Sequence, residues 1–117
     1  MKLTARQGVY AALSVIGLIA TWTFNLRFMA DGGGAFGVMD FVRGGYANAA
    51  SSSLTNDLVV GCTAFLVWSF AEARRLGMRH WWGYVVLTFF VAFACAFPLF
   101  LLVRDRHMEA LDDAPRA

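Results

Sequence analysis

Leu54–Glu72, LTNDLVVGCTAFLVWSFAE, is the stretch on which the fold turns. Leu58 to Ala71 carries no charge, but at about 1.5 Å per residue this run makes only about 21 Å of helix. The hydrocarbon core of a bilayer is about 30 Å thick. To cross it, a helix must draw in Ser52, Ser53, Leu54, Thr55, Asn56 and Asp57. The Asp57 carboxylate then lies inside the membrane or at its edge, where an ionisable group is costly and so is paired, protonated or functional.

Only 15% of the chain is charged and 59% is hydrophobic, whereas about a quarter of a soluble domain is charged. The apolar residues also fall into three blocks separated by charged and Gly/Ser-rich segments. The expectation is an all-α integral membrane protein of one domain with three transmembrane helices. Helix 1 is placed at about 8–28, helix 2 at about 52–73 and helix 3 at about 81–103, with a polar tail at 104–117. The interfacial loop at 30–51 includes a short interfacial or re-entrant segment. The net charge of +2 forms no basic face with interleaved aromatics, so the expected partner is the lipid bilayer and not nucleic acid. Cys62 and Cys95 lie in apolar spans without ligand spacing to each other or to a histidine, and neither a metal nor a cofactor is expected.

In the first block Lys2 and Arg6 precede an uncharged run from Gly8 to Phe24. The run exceeds an ordinary signal-peptide core and no A-x-A cleavage pattern precedes Asp31, so it reads as a retained span. Gln7, Tyr10, Ser14, Gly17, Thr21 and Asn25 recur every three or four residues and form one polar and small stripe. Val9, Ala12, Leu13, Ile16, Ile19 and Ala20 occupy the other side. Lipid is expected on the aliphatic side and protein on the stripe.

In the connection, Gly32–Gly34 and Gly44–Gly45 break any continuous helix. Between them Phe36, Val38, Met39, Phe41 and Val42 form a patch too short to span. Asn48 and Ser51–Ser53 offer N-cap oxygens to the second helix. There Asp57, Gly61, Ala64, Trp68 and Glu72 share a face that is expected to point into the bundle. Asp57 and Glu72 stand about 22 Å apart along the helix, too far to act as an acid/base pair on one bond.

The turn EARRLGMRH supplies a C-cap glycine, Gly77, and basic residues that complement the helix dipole. Trp81 and Trp82 then anchor the third helix at an interface, and Pro98 is expected to kink it and free the carbonyl of Ala94. Three spans would put the termini on opposite sides. Lys2, Arg6, Arg74, Arg75 and Arg79 lie in short segments, whereas Arg27, Arg43, Arg104, Arg106 and Arg116 are spread over a loop and a tail. That density predicts a cytoplasmic N-terminus and an external C-terminus. Asp57, Asn25, Pro98 and Arg104 would then meet at the outer leaflet and, with Thr21, are the candidates for a ligand or assembly site, while Tyr10, Glu72, Arg75 and Trp81 would meet at the inner one.

Asn48-Ala49-Ala50, Asp57, the turn from Glu72 to Met78, Trp82 and the Pro98-Leu99-Phe100-Leu101 exit followed by Arg104 together resemble a bacterial family of short, uncharacterised integral membrane proteins. The resemblance covers about residues 8–108. It implies a small protein of the inner membrane and brings no activity or cofactor.

The expected function is that of an accessory or binding protein, forming a homo-oligomer or joining a larger membrane complex through its polar and small helix faces. Asp57 would pair with Arg27, Arg43 or Arg104, or bond to Asn25. Two other classes are weighed. One is a membrane enzyme acting on an isoprenoid or other lipid, with Asp57 as the acid. The other is a proton-coupled transport subunit in which Asp57 titrates. The sequence assigns no catalytic residue.

Overall fold

A computed structural model describes residues 2–34 and 36–113. Five α-helices follow in chain order: α1 (Ala5–Asp31), α2 (Val38–Gly45), α3 (Ala49–Leu76), α4 (Trp81–Val86) and α5 (Phe93–Asp113). A π-helical segment, Leu87–Val91, continues α4. No strand occurs among the described residues.

Local chemistry sets the helix ends. Thr4 and Gln7 form a capping box on α1, and Asn48 with Ser51 forms one on α3. Both satisfy donors that a first helical turn leaves open. Gly77 ends α3 in the left-handed conformation, at φ 70°, where a residue without Cβ is unstrained. Helices α1 and α3 are each long and apolar enough to cross a membrane. Their outer surfaces are bare: Ile19 is 61% exposed and Val60 69%.

The third span is where the structure departs from expectation. Trp81–Val91 is a short apolar helix of about 16 Å, roughly half of a hydrocarbon core. At Ala92 the backbone becomes extended, at φ −172° and ψ 134°, and α5 runs back beside α4. Tyr84 meets Phe100 edge-on, with ring centroids 5.1 Å apart. Residues 81–113 are therefore a helical hairpin and not one helix over 81–103. Arg6 bonds to Asp105 and Arg104 to Glu72, so the chain's two described ends lie together and not on opposite sides. Residues 104–113, expected as a polar tail, continue α5 as helix because Asp105, His107 and Glu109 all find partners there. Arg116, counted above for topology, lies outside the described residues.

The polar stripe of α1 explains why the hairpin holds. Gln7 and Ser14 are buried and Tyr10, Gly17, Thr21 and Asn25 half-buried, whereas Val9, Leu13, Ile16 and Ile19 are exposed. Pro98 lacks an N–H, so the Ala94 carbonyl has no helical partner. That carbonyl sits against Gly17, where a Cβ would fall 2.7 Å from the carbonyl carbon. Ser14 Oγ donates to the Cys95 carbonyl at 3.0 Å. At the hairpin tip the Trp22 indole N–H donates to the Val91 carbonyl at 2.7 Å. Irregular backbone away from water survives only where protein groups satisfy it, and here α1 supplies them.

On α3 the inward face is Phe65, Ser69, Glu72 and Ala73, rotated from the expected one. Phe65 stacks on Phe97 at 4.6 Å, and Phe93 approaches Gly61. The hairpin thus reaches no further up α3 than about Gly61.

Candidate functional site

Two places gather the side chains that the sequence singles out, one at each end of the molecule. The first lies where α1 begins and α3 and α5 approach their ends. Glu72, 8% exposed, is held on two sides. Arg104 donates to its Oε2 through Nε at 2.7 Å and Nη2 at 2.6 Å. Arg75, one turn along α3, donates to Oε1. The fork of Arg104 matches a carboxylate in a way that a lysine could not.

Arg104 lies 5.6 Å from the centroid of the Trp68 ring and 3.8 Å from Asp105 Oδ1. Asp105 is buried and accepts from Arg6 Nε at 2.8 Å. One turn on, Gln7 Nε2 donates to Glu109 at 2.7 Å, and His107 Nε2 stands 2.6 Å from the Leu76 carbonyl oxygen. Trp81 donates its indole N–H to Ser69 at 2.9 Å, which fixes the start of the hairpin to α3. Tyr10 stands beside Pro98 and Leu101 along the α1–α5 seam. Arginines from three helices thus face carboxylates from two, and the Arg6–Asp105 and Arg104–Glu72 bonds cross between helices.

Chemically this arrangement clamps helices. Glu72 and Asp105 are each held by guanidinium groups. Among the described residues no three His, Cys, Asp or Glu side chains converge as a metal site.

Asp57 lies at the other end. It is exposed and makes no hydrogen bond or ion pair among the described residues. None of the pairings expected for it forms. Arg104 belongs to Glu72, and Arg43 faces Asp40 at 3.5 Å. Arg104 and Pro98 therefore do not join Asp57. The physical reason is the turn at Ala92, which returns the exit of the third apolar block to the end where it began. Thr21 and Asn25 are half-buried on the inward side of α1, near and above the hairpin tip marked by Trp22.

Around Asp57 the helix is bare: Leu54 is 71% exposed, Leu58 50% and Val60 69%. Next to this face, α2 docks on α3. The Thr55 hydroxyl donates to the Gly45 carbonyl at 2.7 Å and the Tyr46 hydroxyl to Asn56 at 2.8 Å. A Cβ on Gly45 would stand 2.8 Å from the Thr55 hydroxyl oxygen, so the close approach depends on glycine. Phe28, Phe36 and Phe41 cluster beside it with centroids 5.0–5.4 Å apart.

The Glu72–Arg104 pair and Asp105 were not legible as partners. Glu72, Arg104, Arg75 and the inward-facing Gln7 stood out as residues, but Asp105 and Glu109 gain meaning only once the hairpin returns α5 to α1. The model of a family described as "Protein of unknown function DUF2834" matches residues 9–106. No curated protein and no solved structure matches the chain.

Proposed function

We propose that this chain, which belongs to the DUF2834 family, is a non-enzymatic accessory protein of the bacterial inner membrane. In this reading α1 and α3 cross the bilayer, and the hairpin of α4 and α5 enters to about half depth and leaves on the side from which it came. The distribution of basic residues supports the orientation. Among the described residues, Lys2, Arg6, Arg74, Arg75, Arg79, Arg104 and Arg106 gather at the hairpin's open end, and Arg27 and Arg43 lie at the other. By the positive-inside preference, the hairpin end and both described ends of the chain face the cytoplasm.

The protein associates with a second copy or a larger membrane complex through α3. The observation that carries this is Asp57, an exposed carboxylate on a bare apolar helix face with no partner among the described residues. At membrane depth such a group is costly until another group meets it. The exposed α3 surface around it offers the apolar contact that association needs.

Asp57→Leu removes the pairing while keeping the apolar face. A hydrogen bond to a charged group contributes about 1.5–3 kcal/mol, so the association constant is expected to fall about tenfold or more. Asp57→Asn, which keeps an acceptor, is expected to lose less. Native mass spectrometry of protein extracted into lipid nanodiscs without detergent reads both. Assembly that is the same in wild type and Asp57→Leu would refute the assignment.

A further inference from the structure

We infer that the space above the hairpin tip is a binding site for one acyl chain of a membrane phospholipid. A cavity of about 530 Å³ lies between the end of α1, α2 and the first half of α3, within the about 300–1,000 Å³ typical of ligand sites. Phe28, Phe41, Val42, Leu58 and Val59 supply most of its wall. Its position follows from the fold. The hairpin separates α1 from α3 up to about Gly61 and then turns back, which leaves the upper space between the two long helices unfilled.

Water is a poor occupant. A buried water needs two to four polar partners and takes about 30 Å³. The two hydroxyls in the wall already donate their protons within the protein, that of Thr55 to the Gly45 carbonyl and that of Tyr46 to Asn56, so neither has an O–H left to offer a water. The glycines Gly44 and Gly45 bring no side chain to fill the space.

Leu58, Val59, Phe41 and Val42 are each 44–54% exposed, so the cavity opens sideways rather than being sealed. In the membrane placement proposed above, on which this inference rests, that opening faces lipid. The phospholipid chain is then the apolar molecule at hand, and Tyr46 and Thr55 mark the polar end of the wall, where the chain joins its headgroup. The α2 helix acts as a flap over the chain, tethered to α3 by the Thr55 and Tyr46 hydrogen bonds.

The test uses the full-length protein in nanodiscs that contain phosphatidylglycerol with a photoactivatable group on one acyl chain. Crosslinked sites are mapped by peptide mass spectrometry. The expected result is labelling at Phe41, Val42, Leu58 or Val59 that saturates as the photolipid fraction rises, while labelling at the outer-face Ile16 and Ile19 rises in proportion. Val59→Trp and, independently, Val42→Trp fill the space and are expected to abolish the saturable labelling and spare that at Ile16 and Ile19. Proportional labelling at every site in the wild type would overturn the inference and leave the membrane placement standing. An absence of labelling even at Ile16 and Ile19 would remove the membrane placement itself.

Discussion

Gly17→Ala is expected to destabilise the protein, although alanine is the better helix former. The new methyl would stand 2.7 Å from the Ala94 carbonyl carbon and 2.9 Å from its Cβ, and closer still to the carbonyl oxygen. The obstacle is mainly backbone, so no side chain can swing aside, and α1 and α5 must separate. Overpacking of this kind costs about 1–3 kcal/mol, which exceeds the about 1 kcal/mol that alanine gains over glycine in a helix. Gly8→Ala is the internal control, because nothing lies within 4 Å of its Cβ position. The thermal midpoint in nanodiscs is expected to fall for Gly17→Ala and to stay or rise for Gly8→Ala. Equal behaviour of the two would mean that α1 and the hairpin do not pack at Gly17.

The second large effect is expected at the Glu72 pair. Arg104→Gln leaves a carboxylate whose side chain is 9% exposed facing only Arg75. Breaking a buried pair from one side costs about 3–5 kcal/mol. Arg75→Gln removes a bond of similar length, but the Arg75 side chain is 60% exposed. Solvent screens such a pair, and its loss is expected to cost much less than that of Arg104. Double substitution of Glu72 and Arg104 by Gln is expected to be milder than Arg104→Gln alone, because no uncompensated charge remains. Equilibrium unfolding of the four proteins checks this. If Arg75→Gln proves as damaging as Arg104→Gln, Glu72 does not join α3 to α5 in the way described.

These two sites show what could and could not be read ahead of the structure. The polar stripe of α1 was legible because helical periodicity repeats within a few residues, and Gln7, Ser14, Gly17 and Asn25 do fall on its inward side. The caps at Asn48 and Gly77 were legible for the same reason, since their chemistry is local. The break at Ala92 was not. VVLTFFVAFACAF carries neither glycine nor proline at the turn, and Pro98, the obvious place for a distortion, sits inside α5. What stabilises the turn comes from far along the chain: Trp22 bonds to the Val91 carbonyl and Ser14 to that of Cys95. An apolar run long enough to span therefore reads as a span when its partners are out of view.

The candidate site divides in the same way. Glu72, Arg75 and Trp81 were read at one end and stand there, with Glu72 bonded to Arg75 and Trp81 to Ser69. Arg104 was read at the wrong end, a direct consequence of treating residues 81–103 as one helix. The rotation of α3 has a related cause. Gly61 and Ala64 suggested the packed face by their small size, whereas the aromatic cluster of Phe65, Phe93, Phe97 and Phe100 turns Phe65 inward and leaves Asp57 outside. Asp57 thereby changes from a residue expected to pair within the bundle to one available to another molecule.

The arrangement of the last apolar block is the point on which the rest depends, and cysteine labelling from each side of the membrane tests it most directly. In a background with Cys62→Ala and Cys95→Ala, single cysteines are introduced as Leu3→Cys, Asp31→Cys and Leu111→Cys. All three positions are exposed in the fold. They are probed with a membrane-impermeant thiol reagent on right-side-out and inverted vesicles. The half-depth hairpin predicts that Leu3→Cys and Leu111→Cys react from the same side, and Asp31→Cys from the opposite one. Reaction of Leu111→Cys from the side of Asp31→Cys would mean that residues 81–103 cross the membrane once, and would contradict the hairpin.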